Sequence, residues 1–267
     1  MTIIETPHGK INFIKYPSHT HSDKIILCIH GFCSDCRIFN YFGNTLSQIG
    51  FDVYSIDLPG HGKSYGDKGD PDFDKCLESI DIVVKSLKGT SKLYIVAHSM
   101  GCTYALWYAH TFKKSIDGLI LFAPYVRIPT IKKRSEVEPS NILFLYFLLR
   151  RIFTPKSKIL STKKLPNFLK IGGNEISQML NDKDLNFYYS YRYIVDVLAL
   201  KNTKVSALSD IDIPLLILHG EKDRNVFSEV GKQFYDLIKS TDKKLKILVI
   251  KSGFFSLFNA VSAPSLL

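Results

Sequence analysis

The residues best placed to do chemistry are Ser99 and its neighbours in Ala97-His98-Ser99-Met100-Gly101. The apolar run Leu93-Tyr94-Ile95-Val96 precedes them, and the helix-compatible Cys102-Thr103-Tyr104-Ala105-Leu106-Trp107 follows. This order reads as a strand, a sharp turn and a helix, and the small residues two before and two after the serine let the backbone bend tightly. The hydroxyl then stands clear of a sheet at a helix N-terminus, as a nucleophile elbow requires. A serine of this kind attacks a carbonyl only when a base takes its proton. Supplying that base is the difficulty, because no histidine follows His219.

Two further motifs fit the same chemistry. In His30-Gly31-Phe32 the backbone N–H of Phe32, after the turn, is suited to hold the oxyanion of a tetrahedral intermediate, with the Met100 N–H as the second donor. In Leu218-His219-Gly220-Glu221-Lys222-Asp223 a carboxylate, Asp223, emerges after an apolar run and could orient a histidine. Each motif alone is common. Their order, oxyanion turn then serine then acid, points to acyl transfer.

The elements that must position these groups can be read from the apolar pattern. Strands are expected at 11–16, 24–29, 52–56, 93–97, 119–123, 215–219 and 245–250, several of them near-continuous β-branched runs of the kind buried on both faces. Helical spacing at 74–87, 104–112 and 228–238 joins consecutive strands, which implies an α/β fold with a mostly parallel central sheet flanked by helices. All three motifs then fall at strand C-terminal ends, where open α/β sheets place their sites. The alternation stops between Pro124 and Asp210, where helices are expected at 141–153 and 186–200. The chain therefore divides into a core, 1–124 with 210–267, and a helical insertion, 125–209.

The 267 residues carry a formal charge of +10, and its location is informative. From Tyr125 to Lys170 there are eleven Lys and Arg against Glu136 and Glu138, while the rest of the chain carries 24 basic and 23 acidic residues. The excess is too apolar in context, and too far from any nucleic-acid-binding motif, to suggest a nucleic-acid partner. Within it the eight-residue run 142–149 is apolar on all sides and too short to span a bilayer. It reads either as a lipid-facing or acyl-chain-facing lid or as a helix buried on the core. The first seven residues lack the basic and apolar regions of a signal peptide, and the five cysteines form no disulfide framework. Both features lead us to expect a cytoplasmic protein, possible contact with anionic membrane surfaces included. Cys33-Ser34-Asp35-Cys36 is a lone C-x-x-C without a second ligand pair, so a redox or zinc role is the weaker reading.

Taken together, these residues resemble the α/β-hydrolase superfamily from about residue 11 to about residue 250. Asp57-Leu58-Pro59-Gly60-His61-Gly62-Lys63-Ser64 is similar to the family's D-x-x-G-H-G-x-S turn. His98-Ser99-Met100-Gly101 is similar to the elbow of monoacylglycerol lipases and lysophospholipases, with Ala97 in place of the first glycine of G-x-S-x-G. The resemblance implies Ser99 as nucleophile, Asp223 as triad acid, Phe32 and Met100 as oxyanion-hole amides, and the insertion as a cap. It implies a serine hydrolase of carboxylic esters, with a small-molecule or lipid ester such as a monoacylglycerol or lysophospholipid as substrate, and no metal or organic cofactor.

The departure from the family is the base. Its histidine belongs in the loop after the last strand, where this chain reads Lys251-Ser252-Gly253-Phe254-Phe255-Ser256. From Ser252 onward there is no charged residue, an abrupt change that suggests an altered C-terminus or a catalytically impaired relative that binds without turning over. Asp223, lacking its partner, is then expected to be an ordinary solvated carboxylate.

Overall fold

The computed structural model describes residues 2–20, 22–113, 115–126, 141–158, 182–197, 208, 210–223 and 225–248. Eight strands form one sheet: β1 (Thr2–Thr6), β2 (Gly9–Tyr16), β3 (Lys24–Ile29), β4 (Asp52–Ile56), β5 (Lys92–His98), β6 (Gly118–Phe122), β7 (Leu215–Gly220) and β8 (Lys243–Leu248). Their order is β1-β2-β4-β3-β5-β6-β7-β8. The β1–β2 and β2–β4 pairs are antiparallel and all others are parallel.

Strand β3 shows why the centre is buried on both sides. Successive side chains of a strand point to opposite faces, so Ile25, Leu27 and Ile29 enter one apolar core and Ile26 and Cys28 the other. The first core is closed by α2 (Phe73–Lys88), α3 (Met100–Thr111) and α6 (Ser228–Leu237), through residues such as Leu77, Tyr104 and Phe234. Helix α1 (Asn40–Gln48) covers part of the second with Phe42 and Leu46, and an apolar pocket of about 380 Å³ remains beside it, lined by residues such as Ile120, Leu216 and Leu248. Helix α2 begins where Asp72 accepts hydrogen bonds from the Asp74 and Lys75 amides, and its last turn carries Lys85 and Lys88 beside the negative end of its dipole. Among the described residues β8 is an edge strand, and it carries lysines 243, 244 and 246, a residue type that discourages edge pairing.

The seven expected strands are all present, with ends shifted by a residue or two; residues 249–250 of the last lie outside the described residues. The hairpin strand β1 was not expected, since five residues without a clear alternation gain their order only from pairing with β2. Helix α1 was hidden by Gly43 and Asn44 in mid-helix, two weak helix formers outweighed by the burial of Phe42 and Leu46. Between β6 and β7 lie α4 (Asn141–Phe153) and α5 (Tyr191–Val195), so the helix expected at 186–200 begins late, at Tyr191, and 198–200 are outside the described residues. Helix α4 packs Phe147 inward, yet Ile142, Leu145, Ile152 and Phe153 are more than half exposed, which is not the pattern of a helix buried on the core.

Candidate active site

Among the described residues, three non-glycine residues have positive φ, and all three follow strand ends: Cys33 (55°) after β3, Ser99 (50°) after β5 and Ala123 (47°) after β6. Such backbone costs on the order of 1–3 kcal/mol each and persists only where its surroundings over-determine it. At Ser99 they do. Its N–H donates to the Phe122 carbonyl at 2.9 Å, and its own carbonyl accepts from the Cys102 N–H at 3.0 Å. The serine is half-buried at the apex between β5 and α3.

The turn after β3 lies against this apex. A Cβ built on Gly31 would sit 3.2 Å from Ser99 Cβ and 2.9 Å from His98 Nδ1. One built on Gly101 would sit 2.5 Å from the carbonyl oxygens of both Ile29 and His30. Two glycines thus let the His30-Gly31-Phe32 turn and the first turn of α3 touch, and the second contact is with backbone that cannot swing aside. Gly101→Ala should therefore cost about 1–3 kcal/mol, read as a lowered urea midpoint at unchanged slope. An unchanged midpoint would show that the two segments are not in contact.

His30 fixes the turn. Its Nε2 accepts from the Leu58 N–H at 3.1 Å, so its proton is on Nδ1, which donates to the Gly31 carbonyl at 2.8 Å. No acceptor for the Phe32 or Met100 N–H is found among the described residues. Phe32 is half-buried and stacks on Tyr189 at 4.0 Å, and Met100 Sδ accepts from the Tyr193 hydroxyl at 3.1 Å.

Asp223 is not the solvated carboxylate expected. Its side chain is only 21% exposed, because the loop after β7 folds back over it. Oδ1 accepts from the Asn225 and Val226 amides at 2.8 and 3.0 Å, and burial outweighs these bonds to raise its pKa. Oδ2 accepts no hydrogen bond among the described residues, and His219 Nε2 lies 3.9 Å from it.

The histidines are committed elsewhere. His219 is fully buried under Gly231 of α6 and donates Nε2–H to the Val226 carbonyl at 2.8 Å. His61 is buried too, donates Nδ1–H to Pro59 and is pushed down to about 3 by burial. Burial likewise sets His98 at about 3. His30 has both ring nitrogens engaged. The segment 251–256, where the resemblance places a base, lies outside the described residues.

Asp57 organises the loop that carries His61. Its carboxylate accepts from Asn12 Nδ2 and from the Cys36 and Lys63 amides, at 2.7, 2.7 and 2.8 Å. Asp35, Cys36 and Asp57 offer atoms within 4.8 Å of one another. Those atoms are already employed: Asp57 by these three donors and Asp35 by Arg37, while burial holds the Cys36 thiol protonated. All five cysteines are free and buried, including the Cys33 and Cys36 pair. The sequence reading passed over Tyr189 and Tyr193, although the run Tyr188-Tyr189-Ser190-Tyr191-Arg192-Tyr193 is an aromatic cluster that could have drawn notice.

A mostly parallel eight-stranded sheet, with a strained serine after the fifth strand facing a His-Gly turn after the third, defines an α/β-hydrolase. Residues 20–254 match the family described as serine aminopeptidase S33, and the chain belongs to that family. It is monoacylglycerol lipase-like. A Schizosaccharomyces pombe protein provisionally named monoglyceride lipase is 29% identical over 238 residues, which are 82% of this chain and 58% of that protein. Human monoglyceride lipase is 24% identical over 257 residues, 90% of this chain and 78% of that one. The chain thus spans less than two thirds of the fission yeast relative. A solved structure of a soluble variant of monoglyceride lipase from Saccharomyces cerevisiae, in complex with a substrate analog, shares the fold. It has a TM-score of 0.81 at 21% identity and covers 99% of this chain and 92% of that one.

Proposed function

We propose that the chain is a serine hydrolase scaffold for carboxylic esters of lipid-like alcohols. In this reading Ser99 attacks the ester carbonyl, the Phe32 and Met100 amides hold the oxyanion, and Asp223 Oδ2 orients an imidazole that carries the proton to the leaving alcohol. Water then releases the acid by the same path. The observation that carries this reading is the contact of the strained Ser99 turn with the His30-Gly31-Phe32 turn, together with Phe32 and Met100 amides that have no acceptor among the described residues. The test is Ser99-dependent turnover of p-nitrophenyl esters in a chain given a histidine at residue 255 or 256. Turnover that survives Ser99→Ala would end the reading.

One group of observations favours a second reading, a catalytically impaired relative that binds but does not turn over. His30, His61 and His219 spend ring protons on carbonyl oxygens, and no histidine follows His219 in the sequence. The chain as it stands fits that description.

We place the substrate's entry at residues 125–209, read as a cap. Helix α4 within it exposes Ile142, Leu145, Ile152 and Phe153 and ends in Arg150 and Arg151. No helix among the described residues is long and apolar enough to cross a membrane. A cytoplasmic protein that docks α4 on an anionic surface fits both facts, each nearby basic residue contributing about 1 kcal/mol. Co-sedimentation with anionic vesicles should exceed that with neutral ones and weaken as salt rises. Equal binding to both would contradict the docking.

A further inference from the structure

The peptide units on either side of Phe32 are pinned by different partners. A trans peptide points its C=O and N–H in opposite directions. Because the Gly31 carbonyl is turned to His30 Nδ1, the Phe32 N–H faces away from His30. The next unit carries the Cys33 N–H, which donates to the Tyr189 hydroxyl at 2.9 Å. Cys33 is also one of the strained residues, with φ of 55°, so it needs a partner to hold it. Tyr189 is that partner, and its ring stacks on Phe32 at 4.0 Å and 24°.

Tyr189 is itself firmly placed. It stacks on Tyr193 at 5.5 Å, and Tyr193 accepts from the Tyr104 hydroxyl at 3.1 Å and donates to Met100 Sδ at 3.1 Å. The residues between, Ser190 and Arg192, grip Asp70: the Ser190 hydroxyl and Arg192 Nε both donate to its Oδ1, and the Ser190 N–H donates to the Gly69 carbonyl. The short segment 189–193 therefore holds Asp70 through Ser190 and Arg192, and meets Phe32 and Met100 through Tyr189 and Tyr193.

We propose that Tyr189 is a positioning residue for the Phe32 amide of the oxyanion hole, with Tyr193 supporting it from the Met100 side. The inference rests on the acyl-transfer reading above. It means that residues C-terminal to α4, in the insertion, complete the oxyanion turn, which the core's own β3 loop does not hold alone.

The experiment compares kcat and KM for p-nitrophenyl butyrate between the unaltered chain, Tyr189→Phe and Tyr193→Phe, with Tm for each. Even without a triad base, a formed oxyanion hole leaves catalysis above water, so the unaltered chain has a rate to lose. Tyr189→Phe keeps the ring stack and removes the hydroxyl that meets both the N–H and the thiol of Cys33; kcat should fall about tenfold while KM stays within about twofold. Tyr193→Phe leaves the Cys33 bond intact and should give a smaller fall in kcat. If Tyr189→Phe does not fold, Tyr193→Phe decides the matter, and unchanged kcat there overturns the proposal. Unchanged kcat in a folded Tyr189→Phe, with a lowered Tm, overturns it as well, since the tyrosine would then serve stability alone. An unaltered chain no faster than water overturns the site reading itself, which is a different result.

Discussion

The purified chain should hydrolyse p-nitrophenyl butyrate at about 10³- to 10⁴-fold over water, orders of magnitude below a serine hydrolase with a complete triad. A serine hydroxyl stays protonated without a base, and what remains is oxyanion stabilisation and substrate positioning. The described histidines beside the site are engaged elsewhere. His61 is held at about 3 and bound to Pro59, and His219 lies under α6 with its Nε2–H spent on Val226. Replacing Phe255 or Ser256 by histidine supplies a base in the stretch where the family carries one, and a gain of two orders of magnitude or more is within what general-base catalysis contributes, roughly 10² to 10⁴. Asp223→Asn should remove most of that gain and change little in the unaltered chain. Turnover by the unaltered chain at full enzymatic rates, abolished by Ser99→Ala, would show that another residue acts as base.

The second large effect is on stability. His61 and His98 titrate near 3 in the folded protein against 6.5 for an exposed imidazole, because burial disfavours the charged ring. The unfolded chain therefore binds more protons between these two values, and stability is fully present above pH 6.5 and lost as pH falls through that window. The slope approaches about 1.4 kcal/mol per pH unit for each histidine only below 6.5, so going from about pH 7.5 to about pH 5.5 should cost about 1.4 kcal/mol for each ring and roughly 3 kcal/mol for the two. His30 and His219 are lowered by burial as well and act in the same direction. Asp223, raised by burial, acts in the opposite one. Urea unfolding at the two pH values reads the difference directly. Equal midpoints would mean that these rings are solvated.

Much of the fold was legible because the chain's apolar runs are long and its punctuation is clear. The central strands announce themselves through runs such as Ile25 to Ile29, and the elbow through small residues around Ser99. What escaped was structure made by partners distant in sequence. Strand β1 is ordered by pairing with β2, and α1 by burial that overrides Gly43. The environment of Asp223 also depended on tertiary structure, since the folding back of residues 225 and 226 over its carboxylate has no sequence signature. Tyr189 is the clearest case. It reaches Cys33 across 156 positions, and nothing local to either residue announces the contact.

The central claim is that Ser99 is the acyl-accepting group of this chain. Mass spectrometry after treatment with a fluorophosphonate tests it most directly, using the chain with histidine at residue 255, the chain with histidine at residue 256, and each with Ser99→Ala. The expected result is one phosphonyl adduct, mapped to Ser99 in at least one histidine-bearing chain and lost in its Ser99→Ala partner. An adduct on another residue, one that survives Ser99→Ala, or none in either histidine-bearing chain would contradict the account.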